Sequence, residues 1–217
     1  MGLINFLWDF ILHSDQHLGA LIGQFGSAVY GILFLIVFME TGFVITPFLP
    51  GDSLLFAVGA FASRESLSLF WLLILLSIAA ILGDFVNYWI GHYFSTWIIN
   101  KQWLNKKHLD RTQEFYKKHG KKTIILARFV PVIRTFAPFV AGVGKMNFSE
   151  FMLYNVIGGL SWVCMFVLGG YYFGGFKIVQ DNFSLFIIVV IIVSLLPIVV
   201  EVGRHQWNKR KENSRIE

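Results

Sequence analysis

The segment ARFVPVIRTFAPFVAG, residues 127–142, is apolar enough to lie in hydrocarbon, yet it carries Arg128, Pro131, Arg134 and Pro138. A plain spanning helix does not tolerate that combination. Each arginine costs about 2.5–3.5 kcal/mol at a bilayer centre, and each interior proline removes a backbone hydrogen bond. Broken backbone at membrane depth persists only where it lines a cavity or packs inside protein. The segment therefore predicts a re-entrant hairpin that presents two fixed positive charges to a wet pocket.

The surrounding composition agrees with a membrane setting. Of the 217 residues, 56% are apolar and 14% charged, and mean hydropathy is +0.64. A soluble domain is about 25% charged. An all-α polytopic membrane protein follows. The formal charge of +5 invites a nucleic-acid reading, but its distribution argues against one. Eight of the 18 Lys and Arg residues fall between Lys101 and Lys122, and five between Arg204 and Arg215. Basic residues in short stretches beside apolar spans mark the cytoplasmic face. The single Cys164 lies in an apolar run and reads as packing.

Residues 1–26 place Leu3, Leu7, Phe10 and Ile11 at helical spacing, interrupted by Asp9, His13, Asp15 and His17. This is too polar to span and fits an amphipathic amino-terminal helix at the interface. Residues 27–38 form an apolar run that ends at Glu40. Residues 41–61 are broken by Pro47, Pro50 and Gly51, with Asp52 directly after the break, and predict a second hairpin. A polar turn at 63–66 leads into a long span, 67–94, carrying Asp84 and Asn87, where Gly83 and Gly91 allow close helix approach. Residues 101–122 predict a short basic surface helix. A span at 147–173, a turn at 177–182, a last span at 183–202 and a basic cytoplasmic tail at 203–217 complete the chain.

Crossing parity ties these pieces together. With the basic loop and basic tail both cytoplasmic, an even number of crossings separates them, and the spans 147–173 and 183–202 already supply it. The stretch 123–144 must then enter and leave from the cytoplasmic face. The same count, with 27–38 taken as a crossing, puts the amino terminus in the cytoplasm and makes 41–61 re-enter from the opposite face. Two broken hairpins, each followed by a long span in opposite orientation, form the pattern of an inverted repeat, whose broken segments flank a midplane site.

Glu40 and Asp52 belong to the first hairpin, Arg128 and Arg134 to the second. Two arginines beside freed backbone N–H groups form a receptor for an oxyanion, and the planar guanidinium suits phosphate. Burial without a partner favours the neutral carboxyl, so an anion at the arginines exchanged against a proton on Glu40 or Asp52 makes a coupling device. Asp84 and Asn87 fit an accessory relay or a helix-packing contact. The blander reading makes all four charges structural pairs that fix the hairpins.

The chain resembles the DedA/VTT family of bacterial inner-membrane proteins, which shares its core domain with eukaryotic lipid scramblases of the endoplasmic reticulum. The resemblance rests on Glu40 followed by PFLPGD at residues 47–52 and on the 127–142 tract. It also rests on Gly142, Met146 and Phe151 in the pattern G-x-x-x-M-x-x-x-x-F, and on Asn155 and Gly158. It covers residues 27–202. It implies transport or flipping of a lipid phosphate, either undecaprenyl phosphate or a phospholipid such as phosphatidylethanolamine, driven by proton motive force at the inner membrane. It assigns Arg128 and Arg134 to the substrate and Glu40 and Asp52 to protons, with no cofactor and no metal.

A lipid phosphatase is the enzymatic alternative, but His92, His108 and His119 lack its spacing, and no G-x-S-x-G or H-E-x-x-H occurs. A non-transporting assembly factor is the other. The Trp-, Tyr- and Gly-rich stretch 162–175 fits a homodimer face as readily as an internal helix contact.

Overall fold

The computed structural model describes residues 19, 22–43, 51–100, 124–183, 185–190, 192 and 193. Most of those residues are helical, with no strand among them. The expected amino-terminal helix (apart from its last few residues), the basic surface helix, the tail, and Pro47 and Pro50 lie outside them.

A 3-10 turn, Gly26–Ala28, leads into α1, Val29–Gly42, which stops where Phe43 turns extended. Helix α2, Gly51–Ala62, opens with Asp52 in its first turn, where a carboxylate meets the positive end of the helix dipole. Helix α3, Leu69–Asn100, is 32 residues long, about 48 Å at the α-helical rise, and contains no proline. Helix α4, Pro131–Val143, begins on a proline, which is favoured in the first turn because no intrahelical bond is lost there. Helix α5, Phe148–Gly174, is capped by the Asn147 side chain, which accepts from the Glu150 N–H at 3.2 Å. The stretch expected as a turn at 177–182 instead contains a short helix, α6, Lys177–Asp181, because Phe176 starts a bonded turn closed at Val179 and Gln180. The helical residues that follow from 183 begin the expected last span.

Three helical stretches among the described residues are long and apolar enough to cross a membrane: Ile22–Gly42, Leu69–Ser95 and Phe148–Gly174. Large apolar side chains such as Trp71, Leu82, Leu153 and Leu160 point outward from them. An exterior of that kind suits lipid rather than water.

Helix α1 runs parallel to α3. The Ser68 N–H donates to Tyr30 Oη at 2.6 Å near their starts, and Gly42 meets the Gly83 backbone, about 21 Å further along α3. Helix α2 then returns, since the Gly51 N–H reaches Glu40 near the end of α1 and Phe61 lies beside Gly19. Thr41 and Gly42 of the expected 41–61 segment thus complete α1. The expected span at 27–38 lies within Ile22–Gly42, which is long and apolar enough to cross a membrane.

The second hairpin approaches from the other end of α3. One helical turn, 124–127, carries Ile124 and Ala127 into a cluster with Tyr88, Ala141, Met146 and Phe151. The chain breaks at 128–130, where the N–H groups of Arg128, Phe129 and Val130 bond three residues back. Val130 is extended, and α4 then runs back toward the carboxyl end of α3. The end of α1, the start of α2 and the 128–130 break therefore meet near the middle of α3, around Ile81–Asn87.

Helix α2 packs mainly on α5, and α4 mainly on α3. Glycine makes both contacts close. A methyl group at Gly59 would strike the Val167 carbonyl, and one at Gly170 the Phe56 carbonyl; one at Gly142 would strike the Tyr88 carbonyl, and one at Gly91 the Phe139 carbonyl. Phe139 and Gly142 follow Phe56 and Gly59 by one constant separation, and Val167 and Gly170 follow Tyr88 and Gly91 by another. The turns after α2 and α4 each hold a left-handed residue, Glu65 and Lys145. Of the Trp162–Gly175 stretch, Trp162, Val167, Gly170 and Gly174 are buried, the last three on α2, while Met165, Tyr172 and Phe173 are exposed.

Candidate functional site

Five charged side chains converge where the tips meet. Glu40 ends α1, Asp52 opens α2, Asp84 sits mid-α3, Arg128 occupies the break and Arg134 the first turns of α4. All are buried, Glu40 completely. Proline at the head of α4 and the break before it put both guanidinium groups at a depth that an unbroken helix would fill with apolar side chains.

Arg134 bridges the two legs of the opposite hairpin. Its Nη1 donates to Asp52 Oδ1 and its Nη2 to Glu40 Oε1. The guanidinium lies over the Trp162 ring, 4.6 Å from its centre, while the Trp162 indole N–H donates to Asp52 Oδ1 at 2.8 Å. Glu40 also accepts the Gly51 N–H at 3.2 Å, and any side chain at Gly51 would collide with that carboxylate. The glycine of the PGD motif is there for this close approach.

Arg128 forms a separate cage. Its Nη2 donates to Asp84 Oδ2 and Asn155 Oδ1, and reaches the Ala80 carbonyl at 3.5 Å. Its stem lies along Gly158 and Gly159 of α5. Asn155 donates in turn to the Ile81 carbonyl at 3.1 Å. Between the cages, Asn87 Nδ2 donates to the Thr41 carbonyl at 3.1 Å and the Thr135 carbonyl at 2.7 Å, tying both hairpins to α3.

The formal balance is uneven. Three carboxylates face two guanidinium groups, and the surplus negative charge belongs to the Arg134 cage. Glu40 Oε2, Asn87 Oδ1, Arg128 Nε and Arg134 Nε are buried with no hydrogen-bond partner among the described residues. Each such atom costs about 1–3 kcal/mol unless something binds it. The centre therefore has the capacity to take up a proton on a carboxylate and to bind an oxyanion on guanidinium N–H groups.

Glu40, Asp52 and Arg134 come together as the sequence groups them. Arg128 does not join them directly; it pairs with Asp84, whose role the sequence left between relay and packing. Asn87 is a tie between hairpins. Pro138 is buried inside α4, leaving the Arg134 carbonyl without its usual helical donor. The sequence placed Trp162 only in a helix-contact or dimer stretch and passed over Thr135, and Asn155 entered only through a resemblance. A tryptophan within an apolar span needs an acceptor for its N–H, and that need was the available signal.

A family profile for the VTT domain matches residues 49–172. Protein DedA of Escherichia coli strain K12 is 55% identical over 211 residues, covering 95% of this chain and 96% of that protein. An uncharacterized membrane protein of Mycobacterium tuberculosis is 38% identical over 187 residues, 84% of this chain and 82% of its own length. Inner membrane protein YqjA of Escherichia coli K12 is 34% identical over 151 residues, 67% and 68% of the two chains. No solved structure matches.

Proposed function

This chain belongs to the DedA family of membrane proteins, and from that premise we propose that it is an inner-membrane transporter that moves a phosphate-bearing lipid in a proton-coupled manner. The substrate class is a polyprenyl phosphate such as undecaprenyl phosphate, or a phospholipid such as phosphatidylethanolamine. The name borne by the relative YqjA, an inner membrane protein, supports the location.

Two re-entrant hairpins in an inverted repeat carry this reading. Support comes from the end of α1, the start of α2 and the 128–130 break, which converge near mid-α3 from opposite ends, and from the matched glycine contacts that bind α2 to α5 and α4 to α3. Broken backbone at membrane depth is tolerated where it packs inside protein. Cysteines introduced at Ser63 and Lys145 in a Cys164→Ser background should label from opposite faces of the membrane, and one at Ser27 from the same face as Ser63. Labelling of Ser27 and Ser63 from different faces would remove the first hairpin.

The observation that supports proton coupling is the surplus carboxylate around Arg134. The lipid phosphate engages Arg134 and displaces a carboxylate, and the released Glu40 or Asp52 takes a proton. Guanidinium serves this better than ammonium because it keeps its charge and offers parallel donors. A proton crossing 100 mV contributes about 2.3 kcal/mol, enough to drive headgroup passage against a gradient of some tens-fold. Flip assays in proteoliposomes with labelled undecaprenyl phosphate and labelled phosphatidylethanolamine test the reading and separate the substrates. Proton-gradient-dependent movement of one of them is expected. Movement of neither, under a gradient of either sign, would overturn it.

A further inference from the structure

Trp162 stands where the two halves of the chain cease to match. By the register that pairs Tyr88 with Val167 and Gly91 with Gly170, its counterpart in α3 is Gly83. At Gly83 a methyl group would strike the Thr41 side chain, so that position is bare to let α1 lie against α3. At the matching place α5 carries the largest side chain available, with no exposed surface. A residue chosen only to fill space would not need a polar atom there. Yet the indole spends both its ring face, on Arg134, and its N–H, on the carboxylate oxygen that Arg134 also holds.

We propose that Trp162 is a positioning residue that keeps Asp52 and Arg134 in register from the α5 side, so that the guanidinium stays aimed at an arriving oxyanion while its carboxylate partners exchange. Glu40, Asp52 and Trp162 hold the Arg134 guanidinium, and of these three Trp162 alone carries no charge. Its hold survives when Glu40 or Asp52 becomes protonated or is displaced. The ring offers a negative π-face to a cation in a dry setting, an attraction that does not depend on pH. The N–H fixes which oxygen of Asp52 points to Arg134. Without it the carboxylate is free to rotate and to pair differently as its charge changes.

This inference rests on the anion-exchange reading only for its ligand arm, and the test separates the two. Full-length protein in detergent is titrated with geranyl phosphate, a soluble isoprenyl phosphate, and binding is read from the rise in melting temperature at a series of pH values. Trp162→Phe keeps a ring and loses the N–H; Trp162→Leu loses both. The phenylalanine variant is expected to bind about tenfold more weakly, the factor a hydrogen bond to a charged group is worth, with a displaced pH dependence. The leucine variant should bind more weakly still, and if it does not fold, the phenylalanine variant alone decides. Native binding by Trp162→Phe at every pH would reduce the tryptophan to core packing and overturn the proposal. If geranyl phosphate stabilises not even the native protein, the anion reading fails. The pH dependence of melting without ligand then decides Trp162: a displaced curve for Trp162→Phe supports the positioning role, and a superimposable one overturns it.

Discussion

The two arginine cages lie within one buried centre, yet they are built to different balances. Arg128 faces one carboxylate, one side-chain amide and one backbone carbonyl, a set whose formal charge balances. Arg134 faces two carboxylates and an aromatic ring, a set with one negative charge too many. A balanced buried pair holds helices together, and apolar residues can often replace it at no loss. An unbalanced one has to change its protonation or its partners to be comfortable. On the proposed transport reading, that difference makes Arg128 the fastener of the second broken segment to α3 and α5, and Arg134 the group that meets the substrate.

The comparison breaks most visibly on removing each guanidinium. Arg134→Ala strands two facing carboxylates and should cost about 3–5 kcal/mol in stability while abolishing lipid-phosphate transport. Thermal melting and the flip assay read the two effects. Arg128→Ala alone should destabilise comparably, but Arg128→Met with Asp84→Leu should recover stability to within about 1 kcal/mol and retain transport. The corresponding pair Arg134→Met with Asp52→Leu should recover no transport at all. Equal rescue in both cages would erase the distinction.

Smaller changes sharpen it. Arg134→Lys keeps the charge but cannot bridge Glu40 and Asp52 with a planar fork, and transport should fall about tenfold. Glu40→Gln should flatten the pH profile of transport, whereas Asp84→Asn should leave its shape and lower the melting temperature. A flattened profile in the Asp84 variant would move the proton site to the wrong cage. Gly142→Ala, which forces α4 away from the Tyr88 carbonyl, should cost only about 1–3 kcal/mol and leave the pH profile unchanged.

Much of this centre was legible because charge and proline inside apolar sequence are expensive. Arg128, Arg134, Glu40 and Asp52 stand out for that reason, and the break before Pro131 falls where proline chemistry puts it. The extent of α1 was less legible. Residues 28–39 are apolar, and nothing in that composition reveals that α1 runs on through Thr41 and Gly42 or that it packs parallel to α3. The pairing of Arg128 with Asp84 was hidden too, since partners far apart in sequence are set by which tip reaches which level of α3. Trp162 was hidden by its abundance class: aromatic residues are common in spans, and nothing local marks one that serves an ion pair.

Proton exchange on anion binding tests the account most directly. Calorimetric titration of the purified protein with geranyl phosphate, repeated in buffers of different ionisation enthalpy, counts the protons exchanged as each anion binds. The account predicts uptake of about one proton per anion, kept in the Arg128→Met, Asp84→Leu protein and lost in Glu40→Gln or Asp52→Asn. Binding heats that are the same in every buffer, with no proton taken up by the native protein, would contradict it.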